Sequence, residues 1–121
     1  MAHKVQLASD IADGMAYLHS CNTSHRDLKS GCILIDSNGR AKISDIGLDL
    51  YKHLSNGHSS GSIGTAAWTA PEVIGNSGMS IDWKAADVYS FGIILWEIMQ
   101  GTYIYIHKRV HMYIHIVQTY I

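Results

Sequence analysis

The residues with the clearest chemical capacity lie in four short segments. The first is HRDLKSGC at 25–32, and it is followed by DIG at 45–47, APE at 70–72 and DVYSFG at 87–92. The carboxylates of the first two segments are of the type that binds hard cations, and the lysine of the first segment supplies a compact point charge. Such groups suit chemistry on a metal-bound, negatively charged substrate. Any one segment alone would more often be an ordinary surface loop, so the interpretation depends on their order and spacing.

Taken together and in this order, the four segments resemble the signature motifs of eukaryotic-type protein kinases. The first is similar to the catalytic-loop pattern H-R-D-L-K-x-x-N and the second to D-F-G. The third is similar to the A-P-E that closes the activation segment, and the fourth to the start of the family's central buried helix. The resemblance covers residues 4–101. It implies ATP and Mg²⁺ as cofactors and transfer of the γ-phosphate to a hydroxyl of a protein substrate.

The resemblance also implies roles for single side chains, which in this family position groups and neutralise charge. Asp27 would accept the proton of the substrate hydroxyl, and Lys29 would reach both ATP and the transferred phosphate as a point charge. Asp45 would bind Mg²⁺, and Leu34 would pack beneath the adenine ring. Arg26 would pair with a phosphorylated residue of the activation segment through charge-assisted hydrogen bonds.

Further positions match the activation segment and the framework around it. The candidate phosphorylation sites are Ser59, Ser60, Ser62 and Thr65. Serines in such a stretch are more often simple loop residues, and Thr65 fits the substrate-binding end of the segment better. Glu72 closes the segment. His25 is assigned a structural role, and Asp87 is expected to tie the central helix to the backbone of the catalytic loop.

The sequence departs from the family pattern at the second metal position of the catalytic loop. Cys32 stands where the family has asparagine, and a thiol is a poor Mg²⁺ ligand compared with an amide oxygen. This change alone predicts a large loss of phosphoryl transfer. In addition, Ile46 replaces the phenylalanine of D-F-G. The chain has no G-x-G-x-x-G segment and no glutamate before Glu72, which predicts that the small ATP-binding lobe is not part of it.

The type of kinase follows from the residues around these motifs. Lys29 and the segments 64–72 and 90–97 resemble the tyrosine-kinase-like group of serine/threonine kinases. By descent, the function is therefore transfer of the ATP γ-phosphate to serine or threonine of protein substrates. Two alternatives stay open. One is an inactive, pseudokinase-like fragment that acts as a binding module, and the other is a truncated gene product without function.

A helix and a hairpin are predicted to position the catalytic loop. Apolar residues at three- and four-residue steps predict a helix over 5–20, with Val5 on its apolar face and Asp10 on its polar face. The triplet ILI at 33–35 and the segment 41–44 flank an Asn-Gly turn, which predicts a β-hairpin.

Beyond the hairpin, the serine- and glycine-rich stretch 51–64 predicts a surface loop. Pro71 is expected in the first turn of a short helix. A further helix is predicted over 84–100, ended by Gly101. It is apolar nearly all round and is therefore predicted to be buried on most sides. The tail 102–121, rich in tyrosine, isoleucine and histidine, is assigned no structure.

These elements predict a mainly α fold class: the large, C-terminal lobe of the protein kinase fold, truncated, with a short β-hairpin at the catalytic loop. Residues 1–101 are predicted to form the partial kinase domain, and 102–121 an atypical tail. The length of 121 residues, with 47% apolar and 16% charged residues, fits one globular domain.

Composition also bears on partners and location. A net charge of −1 without a basic tract gives no reason to expect nucleic acid or an anionic membrane as a partner. The most apolar stretch, 88–99, is too short to span a bilayer and contains Glu97. Cys21 and Cys32 show neither metal-ligand spacing nor a disulfide framework, which favours a reducing, cytoplasmic location. The oligomeric state is left open.

Overall fold

The computed structural model describes residues 1–48, 63–75 and 80–101. Within these residues the helices are α1 (Ala2–Ser20), α2 (Pro71–Ile74) and α3 (Trp83–Gln100). The strands are β1 (Ile33–Ile35) and β2 (Ala41–Ile43), and the 3₁₀ segments are Ser30–Cys32 and Ile63–Trp68. The prediction of a mainly helical chain with one β-hairpin is confirmed.

The helix boundaries follow from local capping chemistry. The Asp82 carboxylate accepts a hydrogen bond from the backbone N–H of Ala85 at 3.1 Å, so α3 begins one residue earlier than predicted. Gly101 has φ = 64° and ends α3 in the left-handed conformation expected of a C-terminal glycine. The short helix after Ala70 carries Pro71 in its first turn, as predicted.

The core is built on one face of α1, whose buried apolar residues recur at four- and three-residue steps: Leu7, Ile11, Met15 and Leu18. Val5 was expected on this face but is 56% exposed, so the buried stripe is narrower than the sequence pattern indicated. Gly14 lies directly against β2, since a Cβ atom at this position would come within 2.9 Å of Ile43 Cδ1. The glycine therefore permits a close approach of helix and hairpin.

The prediction that Asp10 lies on the polar face of α1 is wrong, because its carboxylate is buried against the hairpin. It accepts hydrogen bonds from Arg40 Nε at 2.9 Å and Arg40 Nη2 at 2.6 Å. It also accepts one from the Ala41 N–H at 3.0 Å and one from Gln6 Nε2 at 2.9 Å. The bonds from the Arg40 guanidinium are the main reason why the pKa of Asp10 is far below its usual range. Asp10 thus joins α1 to β2 as an ion.

The hairpin pairs β1 and β2 antiparallel, with Leu34 opposite Lys42 at its centre. The turn is organised by Asp36, whose Oδ1 accepts hydrogen bonds from the N–H groups of Asn38 and Arg40, both at 2.9 Å. Gly39 takes φ = 73°, the left-handed conformation that an Asn-Gly turn favours. In this register the side chain of Leu34 points away from the core and is 39% exposed.

The prediction that the helix over 84–100 is buried on most sides is also wrong. Within the described part of the chain, α3 packs mainly against α1 and the segment Ile63–Trp68. Its buried residues are Ala86, Asp87, Ser90 and Ile94. Val88, Trp96 and Met99 lie on other sides and are 61%, 47% and 43% exposed. Composition indicated an apolar helix, but its burial depends on which elements lie against it.

Candidate active site

The segment 25–32 lies between α1 and β1. Its backbone is held by the carboxylate of Asp87, which belongs to α3. Asp87 Oδ2 accepts a hydrogen bond from the N–H of His25 at 2.8 Å, and Oδ1 accepts one from the N–H of Arg26 at 2.9 Å. Asp87 is 1% exposed, so these bonds lie away from competing water. This is the contact between central helix and loop that the sequence led us to expect.

His25 connects the same loop to the end of β2. Its side chain is fully buried, with Nε2 2.8 Å from the carbonyl oxygen of Ser44. Its Nδ1 accepts a hydrogen bond from the N–H of Asp27 at 3.3 Å, which leaves Nε2 as the nitrogen that donates to Ser44. His25 thereby holds the loop beside Asp45, the first residue of the DIG segment.

Three side chains predicted to act in catalysis or substrate binding meet at the surface of the loop. Lys29 Nζ lies 3.3 Å from Asp27 Oδ2 and 3.3 Å from Thr65 Oγ1. The side chains of Asp27 and Lys29 are 19% and 30% exposed, so both remain accessible from solvent. The lysine places one positive charge between a carboxylate and a hydroxyl, and this arrangement can bind an anionic group beside a hydroxyl-bearing substrate.

Cys32 is 2% exposed and its thiol donates a hydrogen bond to the carbonyl oxygen of Asp27 at 3.4 Å. Burial raises the pKa of the Cys32 thiol to about 11, so it stays neutral at neutral pH. A buried neutral thiol does not suit Mg²⁺, which prefers oxygen ligands. Cys32 therefore supports the loop at Asp27.

The predicted metal ligand Asp45 is exposed and sits at φ = 62°, with Oδ2 3.1 Å from the hydroxyl of Ser44, which donates to it. A carboxylate is a suitable group for Mg²⁺. Nowhere in residues 1–48, 63–75 and 80–101, however, do three His, Cys, Asp or Glu side chains gather closely enough to hold a metal ion. Asp45 is thus a single suitable oxygen ligand among the described residues, and its binding of Mg²⁺ stays a prediction.

Exposed apolar side chains occur on β1, where the adenine contact is predicted, and in the segment after Asp45. Leu34 is 39% exposed, and Ile46 and Leu48, which follow Asp45, are 46% and 44% exposed. The role of Leu34 in packing against adenine stays a prediction.

Arg26 is exposed, with its guanidinium carbon 4.8 Å from the ring centroid of Trp83, a cation–π distance. Its backbone has φ = 72°, which is unfavourable for a residue with a Cβ atom. The predicted partners Ser59, Ser60 and Ser62 lie outside the described residues, so pairing of Arg26 with a phosphorylated residue stays a prediction. Glu72 is exposed on α2.

Glu97 is a site residue that sequence reasoning missed. Its carboxylate accepts hydrogen bonds from the hydroxyl of Ser30 and, at 3.0 Å, from Nε1 of Trp68. Ser90 donates a further bond to the carbonyl oxygen of Trp68 at 2.7 Å. Helix α3 thus holds both the catalytic loop and the segment that contains Thr65. The sequence showed only that a carboxylate in a mostly apolar helix needs hydrogen-bond partners, and not which residues those partners are.

Comparison with known proteins gives the family. The family model described as protein tyrosine and serine/threonine kinase matches residues 1–119. The chain therefore belongs to the protein kinase family, and its tyrosine-kinase-like motifs agree with a model that covers both substrate types.

Three similar curated proteins are named serine/threonine kinases. The chain is 46% identical over 97 residues to the probable serine/threonine-protein kinase SIS8 of Arabidopsis thaliana, which covers 78% of this chain and 9% of that protein. It is 48% identical over 97 residues to the probable serine/threonine-protein kinase drkC of Dictyostelium discoideum, covering 77% and 13%. It is 43% identical over 102 residues to receptor-interacting serine/threonine-protein kinase 3 of Rattus norvegicus, covering 79% and 21%.

The matched region is a small part of each of these relatives, from 9% to 21% of their lengths. Their names describe much longer proteins. A search of the described helices for one long and apolar enough to cross a membrane found none.

Proposed function

We propose that this chain is the substrate-binding and catalytic-loop part of a serine/threonine protein kinase, corresponding to the large lobe of that fold. The observation that carries the proposal is the position of Lys29 Nζ, 3.3 Å from both Asp27 and Thr65. A carboxylate, an ammonium group and a hydroxyl on two separate segments suit the binding of a hydroxyl-bearing peptide next to a phosphate group.

The proposal gives Asp27, Lys29 and Thr65 separate roles in the transfer. The Asp27 carboxylate orients the substrate hydroxyl and accepts its proton as the oxygen forms a bond to the γ-phosphorus of ATP. The bond between that phosphorus and the bridging oxygen of the β-phosphate breaks, and ADP leaves. Lys29 Nζ neutralises charge on the transferred phosphate, and Thr65 places the peptide chain. Mg²⁺, when bound with ATP, would screen the phosphate charges. The Asp45 carboxylate would bind this Mg²⁺.

A second candidate function is binding without turnover, and Cys32 is the observation that favours it. Its neutral, buried thiol supports the loop at Asp27 yet leaves the second metal position without an oxygen ligand. A chain with an intact substrate-binding segment and an incomplete metal set would act as a pseudokinase-like module that binds a protein partner.

A phosphotransfer assay with Mg-ATP and a generic protein acceptor separates the two candidates. We expect turnover that is lost in Asp27→Asn and kept in Asp13→Asn, a matched change at an exposed aspartate of α1. Equal turnover in both variants would indicate a contaminating kinase and would contradict the assigned role of Asp27.

A thermal-shift titration with Mg-ATP on the same samples completes the test. A cooperative melt without turnover favours the binding module. A chain that shows no cooperative melt contradicts both candidates, because neither can operate without the packing of α3 against the catalytic loop.

A further inference from the structure

The first turn of α3 contacts the loop between α1 and β1 at two residues with a left-handed backbone. The guanidinium carbon of Arg26 lies 4.8 Å from the ring centroid of Trp83, and Lys84 Nζ donates a hydrogen bond to Asn22 Oδ1 at 3.2 Å. Asn22 and Arg26 have φ values of 56° and 72°. Two consecutive residues of one helix therefore each contact the side chain of one of these left-handed residues.

The position of Trp83 is set by the capping of α3. Asp82 precedes it in the chain. The carboxylate of Asp82 accepts the N–H of Ala85 at 3.1 Å, and its carbonyl oxygen accepts the N–H of Ala86 at 3.0 Å. Ala86 is buried and Trp83 is half-buried, so the first turn is packed against its neighbours. The indole is therefore presented to Arg26 from a well-defined turn.

The indole is the contact that holds the Arg26 guanidinium among the described residues. The ion pairs there belong to four other cationic side chains, and none includes Arg26: His19, Lys29, Arg40 and Lys42. A guanidinium over an aromatic ring is attracted by the ring quadrupole, and the ring of tryptophan is the best partner in this respect. The positive end of the helix dipole lies at the same turn and does not contribute to this attraction.

The neighbour of Arg26 in the chain gives this contact its importance. Asp27 carries the opposite charge, and its Oδ2 lies 3.3 Å from Lys29 Nζ. Arg26, Asp27, Thr65 and Trp83 all line one small cavity. A guanidinium released from the indole would therefore share this space with the carboxylate. A charge-assisted bond between the two would occupy an oxygen that the substrate hydroxyl needs.

We propose that Trp83 is a positioning residue for Arg26, which keeps the guanidinium at the start of α3 and away from the Asp27 carboxylate. Within the described residues, Asp27 is then left with Lys29 as its cationic partner. The consequence for proton acceptance by Asp27 rests on the proposed function. The contact between the indole and the guanidinium does not.

Nuclear magnetic resonance of the full chain tests the contact directly. Protons that lie over the face of an indole are shifted upfield, so we expect the Arg26 side-chain protons upfield of their positions in the urea-unfolded chain. The shift should be lost in Trp83→Leu and kept in reduced form in Trp83→Phe, which retains an aromatic face. It should not change in Trp96→Leu, a control at an exposed tryptophan of the same helix.

The reverse change keeps the indole in place and decides the matter if Trp83→Leu fails to fold. In Arg26→Gln, the ring resonances of Trp83 should move, whereas those of Trp96 should not. Arg26 protons at their unfolded positions in the parent, an upfield shift that persists in Trp83→Leu, or unmoved Trp83 resonances in Arg26→Gln would each overturn the proposal.

A double-mutant cycle measures the strength of the contact. Trp83→Leu removes the ring and Arg26→Gln removes the charge. We expect a coupling of about two- to fivefold in the unfolding equilibrium constant, the range of an exposed cation–π pair. The same cycle with Trp96→Leu in place of Trp83→Leu should be additive. Absence of coupling in the first cycle, or equal coupling in both, would contradict the assigned contact.

Kinetics test whether the contact serves Asp27. Where the parent shows turnover, Trp83→Leu should lower kcat by roughly two- to fivefold, and Trp83→Phe should restore most of it. In the Arg26→Gln background, Trp83→Leu should have no further effect, because no guanidinium remains to reach Asp27. An equal fall in both backgrounds would overturn the link to Asp27. A parent without turnover contradicts the proposed catalytic function alone, since the resonance shifts and the cycle need no activity.

Discussion

Asp10 and Asp87 are both buried carboxylates, but they hold different junctions with different kinds of partner. Asp10 joins α1 to the hairpin, chiefly through the guanidinium of Arg40, and its side chain is 4% exposed. Asp87 joins α3 to the catalytic loop, where it accepts two backbone N–H groups and the ring of His19.

The difference shows how the molecule separates support of the fold from support of the site. A bond to a side chain such as Arg40 fixes where two elements meet but leaves the backbone between them unconstrained. Bonds to consecutive amides fix the backbone conformation itself, here including the left-handed Arg26. Asp10 accepts one backbone N–H, that of Ala41, whereas Asp87 accepts those of two consecutive loop residues. The carboxylate beside the proposed catalytic residues thus constrains the backbone more, and a reactive group needs a defined direction.

The largest expected effect is at Asp87. Asp87→Ala would leave one buried and one part-buried amide of the catalytic loop without an acceptor, and we expect a loss of about 4 kcal/mol in the free energy of unfolding. Urea denaturation followed by circular dichroism measures it. The control is Asp13→Ala at an exposed position of α1, expected to change stability by less than about 0.5 kcal/mol. A loss at Asp87 no larger than that of the control would refute the importance of these bonds.

The next effect concerns Asp10 and depends on pH. Asp10→Asn should cost about 2 to 3 kcal/mol at pH 7, since Arg40 would lose its charged partner. Because the folded-state pKa of Asp10 is lowered, its contribution is complete above the unfolded pKa of about 4 and is lost as pH falls further.

The difference in unfolding free energy between the parent and Asp10→Asn should therefore shrink from pH 6 to pH 3. Other carboxylates titrate in both proteins and largely cancel in this difference. A difference that stays constant over this range would show that the charge of Asp10 is not what stabilises the junction.

The two aspartates also show how far sequence alone could go. The contact of Asp87 with the loop was predictable because both belong to motifs whose order identifies them. The pairing of Asp10 with Arg40 was not, because helical periodicity relates only neighbours three and four residues apart, whereas these residues are 30 apart in the chain.

Other features depended on packing that no local pattern encodes. The exposure of Val88 and Trp96 is set by which elements lie against α3. The hairpin was predictable from its turn chemistry, but the close approach of Gly14 to Ile43 was not. From sequence alone, a glycine in a helix indicates only lower helix propensity. The site was thus predictable in its motif residues and not in Glu97 or Trp83, which serve through contacts across the fold.

An intermediate effect on stability is expected at Glu97, which joins α3 to the catalytic loop. Glu97→Gln removes the charge that strengthens the hydrogen bonds from Ser30 and Trp68, and we expect a loss of about 1 to 2 kcal/mol in the free energy of unfolding. Glu72→Gln is the matched control, since Glu72 is exposed on α2. Equal unfolding midpoints for the two variants would show that Glu97 does not join the catalytic loop to the segment after Ile63.

The smallest change in stability is expected at Gly14, where α1 contacts the hairpin. Gly14→Ala gains helix propensity of about 1 kcal/mol, but its methyl group would meet Ile43 Cδ1 at 2.9 Å. The contact atom is the end of a flexible side chain, so the clash can be relieved at moderate cost and the net change should be near zero. Ile43→Val removes that atom and should itself cost about 1 kcal/mol.

In the Ile43→Val background, Gly14→Ala should therefore stabilise the chain by about 1 kcal/mol, because the propensity gain is no longer offset. The four unfolding free energies of this double-mutant cycle give the coupling between the two sites. Coupling of this sign and size would show that Gly14 is retained for the approach of α1 to β2, at the expense of helix stability. Additive changes would instead show that the junction yields to the extra methyl group.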